Sequence, residues 1–304
     1  MKIIAGYSSV NLTNAICKIL NIQPIDVSCK HFSDSEIAVS ITPEIRQNDT
    51  CILIHSLSNP VNDNIMLLLL TLDALKRNHA GKIIVCMPYL AYTRQEKPTQ
   101  HTSYAPELLM TLIHAAGAHQ CITIDPHSNN VNHMQMPLNS VSTIQLFTDH
   151  ITATHRLDEV VIVAPDRGAI ERCTLIHSKL GLNSDLVCID KIRTKDMCIA
   201  QAVHGNVRGK TCLIVDDIVD TGTTLCAAAA ALIEQDAAKV FAYCTHGVLS
   251  GGALDRIQKA PIEKLILTDT IAPKIETLRT SNIDVISVAA ILAEHVSLYM
   301  IAGH

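Results

Sequence analysis

Short apolar runs rich in Ile, Val and Leu alternate with longer helical patterns along nearly the whole chain. The predicted strands are 2–5, 37–41, 51–55, 82–87 and 121–124, then 160–164, 211–215, 239–245 and 264–268. Several runs are almost continuously apolar, as expected for parallel strands that are covered on both faces. This alternation of strands and helices predicts an α/β fold with parallel sheets.

Helical patterns fill the intervals between the predicted strands. We predict helices at 62–78, 106–116, 169–180 and 223–235, with Gly81, Gly117 and Gly181 as carboxyl-terminal stops. The alternation is interrupted by the polar, irregular stretch 129–142 and then restarts. The sequence therefore predicts two α/β domains of similar size, 1–142 and 143–304.

The composition excludes several classes of protein. A net charge of −5 and 3% aromatic residues argue against nucleic-acid binding, which needs a basic surface and stacking side chains. The longest apolar run, 225–233, is too short to span a membrane, and the apolar stretch at the N-terminus is too short for a signal peptide. We expect a soluble protein without nucleic-acid or membrane partners.

Eleven cysteines occur without any Cys-x-x-Cys pair. Those within apolar runs are expected to be buried as small hydrophobic residues: Cys51, Cys86, Cys121, Cys212 and Cys244. Free thiols in this number indicate a reducing compartment, and the prediction is the cytoplasm.

The segment 211–227, TCLIVDDIVDTGTTLCA, joins an apolar strand to an Ala-rich helix through a tight turn. The first N–H groups of a helix that follows a parallel strand form a site for anions. Small residues at 221–224 allow a phosphate to approach the backbone closely, and the aspartates before them can bind sugar hydroxyls. A helix capped by Asp220 or Thr221 that binds no ligand is the simpler alternative.

The stretch 213–225 resembles the signature that binds phosphoribosyl pyrophosphate in both phosphoribosyltransferases and ribose-phosphate pyrophosphokinases. Further segments resemble the pyrophosphokinases in the order of that family: HFSDSEIAVSI, AYTRQEK, CITIDPHSNN, VIVAPDRGAIER, IDKIRTK and THGVLSGG. On these motifs the chain is identified as a divergent member of the ribose-phosphate pyrophosphokinase family. The resemblance implies two similar phosphoribosyltransferase-like domains, each a mostly parallel sheet flanked by helices.

The resemblance also implies a reaction and its site. Members of the family are ribose-phosphate diphosphokinases, which transfer the pyrophosphoryl group of ATP to ribose 5-phosphate and use Mg²⁺. The implied ATP-binding residues, from the first domain, are Phe32, Asp34, Ser35, Glu36, Arg94, Gln95 and Glu96. The implied ligands of ribose 5-phosphate are Arg193, Asp216, Asp217, Asp220, Thr221, Gly222, Thr223 and Thr224. His127 and Asp166 are the implied metal ligands, and Lys191 and Arg193, on a mobile loop, are the implied catalytic residues.

Two other activities remain open at this point. A catalytically silent regulatory homologue would be expected to lack the loop cations, whereas Lys191 and Arg193 are both present. A phosphoribosyltransferase would not need the ATP-side motifs of the first hundred residues. The resemblance further implies a homo-oligomer, a hexamer built from dimers.

Overall fold

The computed structural model describes residues 1–41, 45–95, 101–128, 136–193 and 199–301, and at 191–193, 199–201 and 301 it describes the backbone alone. The chain divides into two compact units. Unit 1 comprises Met1–Val141, Thr270–Ala272 and Ser287–His304, and unit 2 comprises Ser142–Asp269 and Pro273–Ile286. In these described ranges, no helix is long and apolar enough to cross a membrane.

Unit 1 contains a seven-stranded sheet in the order β3-β2-β1-β4-β5-β6-β7. Its strands are β1 (Lys2–Ala5), β2 (Ile25–His31), β3 (Ile37–Ile41), β4 (Thr50–Ile54), β5 (Lys82–Met87), β6 (Gln120–Ile124) and β7 (Leu138–Val141). Its first helices are α1 (Val10–Leu20), α2 (Val61–Arg77) and α3 (Ala105–Ala116). Neighbouring strands are parallel except for β2 and β3, which form an antiparallel hairpin.

Unit 2 repeats this architecture with a sheet in the order β10-β9-β8-β11-β12-β13-β14. Its helices are α4 (Ile144–Thr154), α5 (Ile170–Leu180), α6 (Thr223–Glu234), α7 (Ala253–Lys259) and α8 (Ile275–Arg279). Its strands are β8 (Val160–Ala164), β9 (Val187–Arg193), β10 (Ile199–His204), β11 (Thr211–Val219), β12 (Lys239–Gly247), β13 (Lys264–Thr268) and β14 (Ile283–Ile286). Again the hairpin, β9–β10, is antiparallel and the remaining pairs are parallel.

Both faces of the unit 2 sheet are buried, which explains why its strands are continuously apolar. On β11, Cys212 and Ile214 pack with α6 and α7, whereas Leu213 and Val215 pack on the opposite face with α4 and α5. The sequence-based prediction of an α/β fold with two similar, mostly parallel sheets is confirmed. The cysteines predicted to lie in the core are buried: Cys51, Cys86, Cys121, Cys212 and Cys244.

Each hairpin is attached to its sheet by very few residues. β2 pairs with β1 only at Ile25 and Asp26, and β9 pairs with β8 only at Val187 and Cys188. Beyond these positions each strand pairs only with its hairpin partner. Both hairpins therefore extend past the carboxyl end of the neighbouring strand.

The carboxyl-terminal segment differs from the predicted domain 143–304. Helix α9 (Ala289–Ile301) belongs to unit 1, where it packs against α1. The Tyr299 hydroxyl accepts hydrogen bonds from Gln120 Nε2 at 2.6 Å and from Asn139 Nδ2 at 3.3 Å. The end of the chain thus returns to the first unit through contacts that are distant in sequence.

Of the three predicted glycine stops, two lie at helix ends. Gly117 follows α3 with φ 125° and Gly181 follows α5 with φ 62°. Gly81 does not cap α2, which ends at Arg77 and is followed by Asn78. Instead the Gly81 N–H donates to the Asp49 carbonyl at 2.9 Å, and an added Cβ would lie 2.7 Å from Asn48 Cα. The requirement at Gly81 is therefore close backbone packing.

Candidate active site

The central feature of unit 2 is the point where the strand order reverses. From β8 the chain passes to β9 on one side, and β11 lies on the other side of β8. In open α/β sheets, ligands bind in the crevice at the carboxyl ends of two such strands. The residues that follow β8 and those at the end of β11 therefore line the candidate site.

Acidic residues occupy the end of β11. The strand continues to Val219, four residues beyond its predicted end, so Asp216 and Asp217 lie within it. Burial, the charge of Asp217 and the charge of Asp166 raise the pKa of Asp216 well above its ordinary value. A donor or a cation brought to Asp216 would therefore stabilise its ionised form.

The turn after β11 leads directly into α6. Gly222 is the N-cap of the helix with φ 75° and, as a glycine, offers no side chain to cap its first N–H groups. The hydroxyl oxygens of Thr221 and Thr223 lie 3.1 Å apart, and both residues are exposed. N–H groups and hydroxyls at the positive end of a helix suit an anion.

The segment after β12 forms hydrogen bonds with this turn. Val248 and Leu249 N–H donate to the Val219 carbonyl at 3.0 and 3.2 Å, and Ser250 N–H donates to the Asp220 carbonyl at 3.0 Å. The Ser250 hydroxyl also donates to the Asp220 carboxylate. The loop conformation is thus fixed by backbone contacts that the motif itself does not encode.

A guanidinium group that sequence reasoning missed also contacts the turn. Arg256, on α7, donates from Nη1 to the Thr221 carbonyl. No motif marks Arg256, since it lies thirty-five positions away from Thr221 in sequence. Only the packing of α7 beside the loop reveals it.

Asp166 lies in the turn after β8 and is half-buried. Its Oδ1 accepts a hydrogen bond from Gly168 N–H at 3.0 Å, which caps the short turn Arg167–Ala169. The other implied metal ligand, His127, follows β6 in unit 1 and is exposed.

The carboxyl groups of unit 2 would suit a Mg²⁺ ion for which water and bound phosphates supply the other ligands. Within the described ranges, no group of three or more His, Cys, Asp and Glu side chains is arranged for a metal. Mg²⁺ usually binds one or two carboxylates together with water and substrate phosphates. Burial and the charges of Asp217 and Asp166 raise the pKa of Asp216, and a bound cation would offset these charges.

The implied ATP-binding residues of unit 1 lie in two places. Asp34, Ser35 and Glu36 form the exposed turn between β2 and β3, in which Asp34 Oδ1 accepts from Glu36 N–H at 3.1 Å. Phe32, at the start of this turn, is 47% exposed, and the Lys30 ammonium lies 5.3 Å from its ring centroid. The turn therefore presents an aromatic ring and acidic groups to the surface of this chain.

Arg94 and Gln95 follow β5. Arg94 is exposed, and Gln95 Oε1 accepts from Ala105 N–H at 3.2 Å, at the start of α3. In the sheet, β5 is three strand positions from β2, which corresponds to about 14 Å. The sheet order alone does not bring the two groups together. Glu96 lies outside the described residues.

Lys191 and Arg193 lie on β9, in the hairpin of unit 2. Their backbones pair with Gln201 and Ile199 of β10. The prediction placed both residues on a mobile loop, whereas the backbone at these positions is strand. The hairpin extends from the carboxyl end of β8, which is also where the turn that holds Asp166 begins.

Comparison with known proteins gives the same assignment over the whole chain. The family described as the N-terminal domain of ribose phosphate pyrophosphokinase matches residues 1–117, and the phosphoribosyl synthetase-associated domain matches 183–300. Ribose-phosphate pyrophosphokinase of Rhizobium meliloti is 38% identical over 98% of this chain and 96% of its own length. Ribose-phosphate pyrophosphokinase 1 of Listeria monocytogenes is 38% identical over 97% and 92%, respectively.

A solved structure supports the fold in detail. The crystal structure of phosphoribosylpyrophosphate synthetase from Mycobacterium smegmatis superposes with a TM-score of 0.91 at 28% identity, and 99% of each chain is covered. The duplicated sheet, with its loop at the reversal of strand order, defines a phosphoribosyltransferase-like α/β protein. Within this class, the relatives that match almost the whole chain are ribose-phosphate pyrophosphokinases. The chain belongs to the ribose-phosphate pyrophosphokinase family.

Proposed function

We propose that this chain is a ribose-phosphate diphosphokinase, which transfers the pyrophosphoryl group of ATP to the anomeric hydroxyl of D-ribose 5-phosphate. The observation that carries the proposal is the Asp216–Thr224 loop at the crevice between β8 and β11, in a chain whose full-length relatives are ribose-phosphate pyrophosphokinases. The products are phosphoribosyl pyrophosphate and AMP.

The reaction requires positioning and charge neutralisation more than covalent chemistry. A bond forms between the anomeric oxygen and the β-phosphorus of ATP. The bond between that phosphorus and the oxygen that bridges it to the α-phosphorus breaks. AMP leaves with the electron pair, and the hydroxyl releases its proton. The protein must therefore align two anionic substrates and exclude water from the β-phosphorus.

Unit 2 is proposed to hold the sugar phosphate. Asp216 and Asp217 would accept hydrogen bonds from the ribose hydroxyls. Donors of this kind would stabilise two neighbouring carboxylates whose charges repel each other. The turn from Asp220 to Thr224 would bind the 5-phosphate through its N–H groups and hydroxyls. Neutral hydroxyls and the phosphate are thus bound by different parts of one loop.

Unit 1 is proposed to bind ATP through the hairpin turn and the segment after β5. The residues are Phe32, Asp34, Ser35, Glu36, Arg94, Gln95 and Glu96. Because the turn is exposed and the sheet order separates it from Arg94, these residues suit a site shared between copies of the chain. A homo-oligomer, and specifically a hexamer built from dimers, is part of the proposal.

His127 and Asp166 are proposed to hold Mg²⁺, which would neutralise phosphate charge during the transfer. Lys191 and Arg193 are the proposed catalytic cations, because charge develops on the transferring group in the transition state. Arg193 would also contact ribose 5-phosphate. The proposed location of the reaction is the cytoplasm.

The test is AMP formation from ATP and ribose 5-phosphate in the presence of Mg²⁺, with loss of activity in EDTA. A silent regulatory homologue would form no AMP at any concentration of magnesium. A phosphoribosyltransferase would instead release pyrophosphate from phosphoribosyl pyrophosphate and a nucleobase. Either result would refute the proposal, and the second would identify the alternative class.

A further inference from the structure

Three carboxyl groups lie in or next to the loop that is proposed to hold the 5-phosphate. Asp220 lies in the loop, and Asp216 and Asp217 directly precede it at the end of β11. A helix amino terminus offers about half a positive charge. A phosphate monoester carries up to two negative charges, so the helix alone does not balance it.

Arg256 is a cation whose position is fixed against this loop. It lies on α7, and it donates from Nη1 to the Thr221 carbonyl. The contact is part of a close packing, because a Cβ added to Gly222 would lie 3.3 Å from Ile257 Cγ1 and 3.9 Å from the Ala253 carbonyl. α7 and the loop therefore form one surface.

The guanidinium of Arg256 contacts the loop through a neutral carbonyl oxygen and not through a carboxylate. Among the described residues it forms no ion pair, and its other hydrogen-bonding groups have no protein partner. A guanidinium has five N–H donors, so most of them remain available to a ligand. The positive charge also reaches the first turn of α6, where it opposes the rise that burial causes in the pKa of Cys226.

We propose that Arg256 is a further ligand of the phosphate group of the sugar phosphate. Its free N–H groups bind the phosphate oxygens, and its hydrogen bond to the Thr221 carbonyl holds that carbonyl away from the anion. Arginine binds phosphate with a planar fork of donors, which suits recognition of a terminal monoester. This inference rests on the proposed function and adds a residue to its sugar-phosphate site.

The experiment is titration of the full-length protein with ribose 5-phosphate by calorimetry, which requires no turnover. Arg256→Ala is expected to weaken binding by about tenfold to hundredfold, the effect of losing a charged hydrogen-bond donor. Arg256→Lys is expected to recover part of this loss, and Arg256→Gln, which keeps a donor without the charge, is not. The matched control is Arg279→Ala, an exposed arginine on α8 of the same unit, which is expected to bind as the unmodified protein does.

ATP affinity serves as the internal check on folding and is expected to remain unchanged in every variant. Normal binding of ribose 5-phosphate by Arg256→Ala or by Arg256→Gln would overturn the inference and leave the proposed function standing. Equal loss of ATP and ribose 5-phosphate affinity would also overturn it, because Arg256 would then support the fold. Failure of the unmodified protein to bind ribose 5-phosphate would overturn both proposals.

Discussion

His55 Nε2 lies 2.9 Å from the carbonyl oxygen of Asn64, across the turn that joins β4 to α2. This turn is the counterpart in unit 1 of the loop after β11, because β1 and β4 flank the reversal of strand order in that sheet. Here the crevice is closed by its own hydrogen bonds. Asn64 Nδ2 donates to the Ser58 carbonyl at 2.8 Å, and Ser56 N–H donates to Ser9 Oγ at 2.8 Å.

The first prediction concerns stability at acid pH. Burial lowers the pKa of His55 to about 4, and His55 is only 1% exposed. The folded state therefore excludes a proton that the unfolded chain accepts near pH 6.5. Above pH 6.5 His55 is neutral in both states and costs no stability. As the pH falls from 6.5 towards 4, the unfolded chain binds the proton and the folded state does not, so the free energy of unfolding decreases. Between pH 7 and pH 5 this effect should lower the free energy of unfolding by roughly 2 kcal/mol.

Urea unfolding at a series of pH values measures this effect. His55→Gln should lose less stability than the unmodified protein on going from pH 7 to pH 5, because Gln does not titrate. The exposed His101→Gln is the control and should leave the pH dependence unchanged. Identical pH slopes for the His55 variant and the unmodified protein would contradict the prediction.

Asp216→Asn tests the division of the site between the two substrates. Because Asp216 is proposed to accept from ribose hydroxyls, the KM for ribose 5-phosphate should rise by roughly tenfold or more, with little change in the KM for ATP. Steady-state kinetics with each substrate varied in turn gives both values. Asp236→Asn, which removes an exposed partner of Arg208, serves as the control. An effect confined to the KM for ATP would reverse the proposed assignment of the units.

Lys191→Ala should lower kcat by roughly 10²–10³ with little change in either KM, because the proposed cation acts on charge that develops in the transition state. Single-turnover rates with saturating substrates separate this chemical step from binding. Lys210→Ala, which removes a lysine after the hairpin, is the comparison variant. A near-normal kcat with a raised KM would mean that Lys191 only binds substrate.

Gly222→Ala introduces both backbone strain and a close contact of the new Cβ, whereas Gly181→Ala introduces the strain alone. At φ 75° any side chain is strained, and the new Cβ would meet Ile257 Cγ1 at 3.3 Å. Gly181 has φ 62° but nothing within 4 Å of an added Cβ. Gly181→Ala should lower the free energy of unfolding by about 1 kcal/mol, the ordinary cost of a positive φ, and Gly222→Ala should lower it further because its Cβ also meets Ile257. Only Gly222→Ala should also raise the KM for ribose 5-phosphate; equal kinetics in the two variants would exclude a precise loop geometry.

The sequence predicted best those features whose cause is local. β8 and β13 were predicted to the residue because their runs are apolar on both faces. β2 was not predicted, because beyond Asp26 it pairs only with β3 and its exposure is irregular. The assignment of α9 to unit 1 depends on contacts from Tyr299 to Gln120, 179 positions away. No local pattern carries that information.

The candidate site divides in the same way. The turn from Asp216 to Thr224 is contiguous, so a strand, a turn and a helix could be predicted there, and the structure contains them. Arg256 and Ser250 reach the loop only because α7 and the end of β12 pack beside it. The hydrogen bonds that close the crevice of unit 1 were equally invisible, since Ser9 and Ser56 are forty-seven positions apart.

Each hairpin is hydrogen-bonded to the parallel part of its sheet at two neighbouring residues, so most of its length lies outside that part. Past Asp26 and past Cys188 the backbone of each hairpin bonds only across its own two strands, so side chains carry its remaining contacts, as Ile189 does in the core of unit 2. A substitution at such a side chain would weaken the packing of the hairpin on its unit without breaking a hydrogen bond of the parallel sheet. The two hairpins thus depend on side-chain packing where the central strands are also held by backbone hydrogen bonds on both sides.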